Sequence, residues 1–234
     1  MNDKQTLILL PGLLCDDALW RNQVEYLSDL ADVRIADLTK AESMAVLAQT
    51  VLDDAPDTFA LAGLSMGGYV AQEIMRQAPE RVSRLALLDT NARADLPEQT
   101  ANRKRLIAQA ESGEFWAIAP EMLPNLVYDR HLVLTGIRDT VLHMAERVGK
   151  DAFVRQQTAI MDRIDGRASL AAIDCPVLVL CGRNDALTPI LVHEEMAEGI
   201  GDNAVLVVIP NSGHLSPIEQ PGAVTTALRD WLMR

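Results

Sequence analysis

The chain carries a serine with glycine two residues away on each side, Gly63-Leu64-Ser65-Met66-Gly67, at the end of an apolar run. A serine hydroxyl is a poor nucleophile until a base takes its proton, and the base must be oriented by an acid. Four histidines are available: His131, His143, His193 and His214. The first two fall in a long helical interval, and His193 lies one turn into a helix after Pro189. His214 sits in NSGHL, just past the apolar run 204–209. For the acid, GRNDALTP places Asp185 directly after the run 176–182, between Ser65 and His214 in sequence. Asp89, after the run 82–88, is the alternative orienter. The order Ser, Asp, His is one known arrangement for acyl transfer. Each residue also has a plainer reading: a serine capping a glycine-rich strand–helix turn, a solvated loop histidine, a turn aspartate.

Acyl transfer also needs N–H donors for the oxyanion. The amide of Met66, after the serine, is one candidate. Leu13 in PGLLCD is the other, since Gly12 would let its N–H turn inward.

These residues are useful only if the fold brings them together. Apolar runs bounded by turn residues recur at 6–10, 33–36, 58–63, 82–88, 176–182 and 204–209. They are nearly continuous rather than alternating, which suits strands covered on both faces. Helical patterns lie between them: Leu19, Val24, Leu27 and Leu30 within 16–30; Val70, Ile74 and Ala78 within 66–78, stopped by Pro79; and a closing helix over 217–232. Alternating strand and helix predicts an α/β chain with a mostly parallel, doubly wound sheet of about six strands. Ser65, Asp185 and His214 would then meet at the carboxyl edge, where open α/β sheets bind ligands.

Residues 89–175 exceed the dozen or so that a crossover requires. Helical spacing at Ile137, Val141, Ala145 and Val148 ends at Gly149, and Phe153, Gln157, Ile160, Met161 and Ile164 precede Gly166. With Phe115, Trp116, Met122, Leu126 and Tyr128, this excursion holds enough apolar surface to cover a pocket, or to add core.

Composition narrows the partners. The 234 residues are 49% hydrophobic and 23% charged, as in a globular protein, and the net charge is −12. That field disfavours nucleic acid and anionic membrane surfaces, leaving a small-molecule substrate; self-association stays open. Cys15, Cys175 and Cys181 form no CxxC pair, which fits a reducing compartment. TLILLPGLLC could pass for a signal core, but Lys4 is offset by Asp3, Pro-Gly interrupts it, and Leu13-Leu14 replace the small residues of a cleavage site. The cytoplasm is the expected location. GLSMGG is neither a dinucleotide nor a P-loop motif, and no metal-ligand spacing occurs, so no cofactor or metal is expected.

Together these motifs resemble the α/β-hydrolase superfamily over essentially the whole chain. LLPGLL matches its oxyanion loop, GLSMGG its nucleophile elbow, GRND its acid loop, and GHLSPIEQP its histidine loop with Glu219 and Pro221. The resemblance implies an α/β-hydrolase fold, a catalytic triad of Ser65, Asp185 and His214, and an oxyanion hole at Leu13 and Met66. It also implies a helical cap over 113–166, between core parts 1–112 and 167–234. Pro11 stands where the family usually has histidine, and with five residues before the first apolar run a sheet lacking the family's usual opening hairpin is expected. The implied activity is a cofactor-free serine hydrolase of the carboxylesterase kind, acting through an acyl-enzyme on a small, largely apolar ester. The same triad would also serve a C–C hydrolase, an enol-lactonase, a haloperoxidase or an acyltransferase. A receptor without turnover is the reading from another class.

Overall fold

The structure is a computed structural model and describes residues 4–234; Asp3, used above against Lys4, lies outside the described residues. Among the described residues six strands form one sheet: β1 (Gln5–Leu10), β2 (Ala31–Ile35), β3 (Phe59–Leu64), β4 (Val82–Leu88), β5 (Val177–Gly182) and β6 (Ala204–Ile209). Their spatial order is β2-β1-β3-β4-β5-β6, and every pairing is parallel. The α/β-hydrolase fold expected from the sequence is therefore present, without an antiparallel edge.

The apolar runs of the inner strands follow from two covered faces; the outer β2 and β6 are only partly buried. In β1, Ile8 and Leu10 join the core beneath α2 (Met44–Asp54), α3 (Met66–Gln77) and α7 (Ile190–Ile200). Leu7 and Leu9 face the other way, toward α1 (Arg21–Leu27) and α9 (Pro221–Leu232), where Trp20, Leu228 and Trp231 are buried. The pleat sends alternate side chains to opposite layers, so both must be apolar.

The connections differ in detail from the sequence reading. The helix expected over 16–30 is a 3-10 turn, Asp17–Trp20, followed by an α1 that ends at Leu27. The closing helix is interrupted at Gln220: the short α8 (Ser216–Glu219) stops and Pro221 opens α9, where its missing N–H costs nothing. Between β4 and β5 run α4 (Pro97–Gln109), α5 (Phe115–Leu126) and the long α6 (Thr135–Met161). As the sequence predicts, Gly149 ends a helical segment: at φ 78° and ψ 169° it kinks α6, and a second segment follows over 150–161. Position 113 falls on the corner between α4 and α5, where Gly113 adopts φ 99°, so the helices of the excursion begin upstream of it, at Pro97.

The excursion has a small core of its own. Phe115 and Phe153 pack with ring centroids 5.8 Å apart among Leu106, Ile118 and Ala145, and Leu14 from the loop after β1 joins them. Trp116, expected among the covering residues, points outward and is 66% exposed.

Candidate active site

The turn after β3 is as sharp as its glycines require. Ser65 adopts φ 53°, ψ −114°, a region that non-glycine residues avoid. A Cβ on Gly63 would overlap the carbonyl of Gly67, and one on Gly67 would overlap that of Leu10. The strained residue is held from several sides. Its N–H donates to Leu88 O at 3.0 Å, and its carbonyl accepts from the Thr90 hydroxyl at 2.8 Å. Thr90 N in turn donates to Nε2 of the buried His193 at 3.0 Å. Burial lowers His193 to about 4, so the ring stays neutral and keeps that acceptor. Leu14, Asp89 and Asn211 share the positive φ of Ser65. All four lie just beyond the carboxyl ends of strands, so the strain collects at one rim.

The three residues singled out for acyl transfer converge there. His214 Nε2 lies 2.8 Å from Ser65 Oγ, and its Nδ1 lies 2.8 Å from Asp185 Oδ2. A carboxylate has no proton to give, so Nδ1 carries the hydrogen and Nε2 accepts from the serine. Asp185 is fixed by the amides of Leu187 and Thr188, at 2.8 and 2.9 Å, and by the Thr188 hydroxyl at 2.6 Å. Burial would raise its pKa, but the His214 ring and these hydrogen bonds outweigh it and hold the carboxyl below its usual range. Burial would lower His214, yet the charge and hydrogen bond of Asp185 raise it above an ordinary histidine.

Asp89, the alternative orienter, is placed differently. It is fully buried and accepts from the Gly182 amide at 2.8 Å and from the Ser216 hydroxyl. It thus ties the ends of β4 and β5 to the segment after His214. Burial, and then the nearby charge of Asp185, push its pKa well above the carboxylate range. The histidine loop is not slack: His214 N donates to Leu126 O in α5 at 3.0 Å. Glu219 accepts from Tyr128 N, Gly213 N and His131 Nδ1 at 2.8 to 3.0 Å, binding this loop to the excursion.

The loop expected to supply an oxyanion donor is braced by a residue that sequence reading missed. Leu14 N donates to Gln156 Oε1 at 3.1 Å, and Gln156 Nε2 donates to Leu38 O at 3.2 Å. The carboxamide is wholly buried, far from the loop in sequence, and no local signal announces it. Gly12 lies against Leu64 and Ser65; a Cβ there would stand 3.4 Å from that of the serine. Among the described residues neither the Leu13 nor the Met66 amide donates to a backbone carbonyl.

Ser65 and His214 open into a cavity of about 210 Å³. Leu13, Leu64, Met122, Leu126, Leu187 and Leu215 give it apolar wall, while Asn91, Asn102, Arg103, Asn125, Gln157 and Arg163 give it polar wall. The apolar part of the wall is the larger, although Phe115 and Phe153 turn into the excursion's own core. Cys15 also lines the cavity, but burial, reinforced by Asp16, pushes its thiol to about 12, so it is no competing nucleophile. Among the described residues no three His, Cys, Asp or Glu side chains cluster as metal ligands, and no helix is long and apolar enough to cross a membrane.

Comparison with known proteins agrees with this fold. A model of the alpha/beta hydrolase family matches residues 7–227. A pimeloyl-[acyl-carrier protein] methyl ester esterase from Nitrosomonas europaea is 27% identical, over 89% of this chain and 88% of its own. A thermophilic esterase from Thermogutta terrifontis superposes with a TM-score of 0.90 at 31% identity, over 99% of this chain and 90% of that one. The enol-lactonase from Burkholderia xenovorans LB400 shares the fold, with a TM-score of 0.90 at 24% identity, over 100% of this chain and 93% of that one.

Proposed function

The chain belongs to the alpha/beta hydrolase family, and from that premise we propose that it is a serine hydrolase of carboxylic esters working through an acyl-enzyme. The observation that carries this reading is the pair of 2.8 Å contacts joining Ser65, His214 and Asp185 at the floor of the cavity. Esterases among the relatives support ester chemistry over the other reactions open to such a triad.

Ser65 Oγ attacks the ester carbonyl as its proton passes to His214 Nε2. Asp185 holds the ring and stabilises the imidazolium that forms. The amides of Leu13 and Met66 receive the oxyanion. Collapse of the tetrahedral intermediate expels the alcohol, which takes the proton back from His214. Water then enters, gives a proton to His214, and attacks the acyl carbonyl. The acid leaves and Ser65 recovers its hydrogen. The helical excursion acts as a lid, since α4, α5 and α6 together wall the cavity above Ser65.

Hydrolysis of a short-chain nitrophenyl ester tests the reading. Ser65→Ala should lose about a thousandfold or more in kcat, and a fluorophosphonate should label wild type at Ser65 alone. Equal rates in wild type and variant would overturn it.

A further inference from the structure

The polar part of the cavity wall is organised. Gln99, Asn102, Arg103 and Leu106 face it from α4 at the spacing of one helical face. Arg163, just after α6, joins Arg103 there, and the two guanidiniums share one carboxylate. Arg103 Nε meets Asp95 Oδ2 at 2.8 Å, and Arg163 Nη1 meets Asp95 Oδ1. Among the described residues neither arginine pairs with a second acid, and no acidic side chain lines the cavity. Two positive charges against one negative leave one positive charge unmatched, in a chain whose net charge is −12. Asp95 and Arg163 have side chains only 2% and 5% exposed, so salt and water screen this excess poorly.

Gln157 adds a second deficit. Its Oε1 accepts from Arg103 Nη1 at 2.8 Å, which commits the oxygen. Its Nε2 is buried and, among the described residues, donates to nothing. A buried N–H without an acceptor is unfavourable and rare. One kind of ligand removes both deficits: a group that accepts hydrogen bonds and carries a single negative charge. A carboxylate does so, and its planar pair of oxygens fits a guanidinium fork. A phosphate monoester would bring more charge than the cluster leaves unmatched.

We propose that Arg103, Gln157 and Arg163 form a subsite for a free carboxylate, so that the ester reaching Ser65 is a half-ester of a short dicarboxylic acid. This rests on the ester-hydrolase reading above and names its substrate class. The plainer role for the arginines, a brace between α4 and the end of α6, requires no such preference.

Monomethyl glutarate and the methyl ester of glutaric acid monoamide have nearly the same shape and differ by one negative charge. Wild type should hydrolyse the charged ester with kcat/KM about tenfold or more above the amide, chiefly through KM. Arg103→Gln should lose most of that ratio, and Arg103→Lys should keep part of it. A wild type that hydrolyses both esters equally, or prefers the amide, overturns the subsite and leaves the hydrolase reading standing. Binding is read separately in Ser65→Ala. There the glutarate ester should raise Tm more than the amide does, and adding Arg103→Gln should erase the difference. Equal shifts, or none, refute the subsite even if no ester is turned over; labelling of Ser65 by a fluorophosphonate judges the hydrolase reading on its own.

Discussion

The side-chain oxygen of Gln156 accepts the backbone N–H of Leu14 at 3.1 Å, joining residues 142 positions apart. With proline at position 11, the loop after β1 takes its support from the long helix of the excursion. The same carboxamide reaches Leu38 O, so two loops at the rim hang on one side chain. Gln156→Leu should leave the Leu14 amide buried without an acceptor and cost about 1–3 kcal/mol of stability. It should also cut kcat about tenfold or more, with KM nearly unchanged, as expected of a displaced oxyanion donor. Thermal unfolding and steady-state kinetics check the two separately; a stability loss with intact kcat would reduce Gln156 to a structural tie.

Asp185 fixes the tautomer of His214 through the 2.8 Å contact at Nδ1. Asp185→Asn keeps the shape but offers that nitrogen an amide donor, which turns the ring toward the wrong tautomer. The expected fall in kcat is about a thousandfold to ten-thousandfold. Ester hydrolysis under saturating substrate measures it, and a loss smaller than tenfold would remove Asp185 from its assigned place.

The acid limb of the rate profile follows from His214. Its pKa is raised because the attraction and hydrogen bond of Asp185 outweigh burial. The base must be neutral to take the serine proton, so kcat/KM should fall as pH falls through that raised value. The inflection should therefore lie above about 6.5, the ordinary histidine value. An inflection below it would mean that desolvation wins.

Asp89 gives a pH effect of opposite sign, read in stability. Its folded-state pKa is raised by burial and by Asp185, so the native state holds a proton that the unfolded chain releases. Stability contributed by this group is present at low pH and declines as pH rises from about 3.9 toward the raised value. Asn at this position can still accept from the Gly182 amide and can donate to the Ser216 oxygen. Asp89→Asn should thus lose that decline and be at least as stable as wild type at neutral pH. Urea unfolding at several pH values checks it; a variant less stable at neutral pH would show that the ionised carboxylate is worth its burial.

What could be read along the chain was local. Six nearly continuous apolar runs forecast six strands, the inner four covered on both faces and the outer β2 and β6 only in part, and the carboxyl rim that a parallel sheet offers then gathered Ser65, Asp185 and His214. The glycines around Ser65 announced a turn whose backbone tolerates no side chain two residues away. Helix interruptions were partly legible: α6 breaks at Gly149, where the sequence placed a helix end, whereas the break of the closing helix at Gln220 became visible only in the fold. The partners of buried polar groups were not legible at all. Gln156 looks like any helical glutamine until it meets Leu14, and Asp89 like a turn residue until Ser216 and Gly182 close on it. The turn of α4 that brings Arg103 beside Arg163 and Gln157 belongs to the same class. Propensity and periodicity are set by neighbours a few positions away, whereas a hydrogen bond across 93 or 142 residues exists only once the helices have packed.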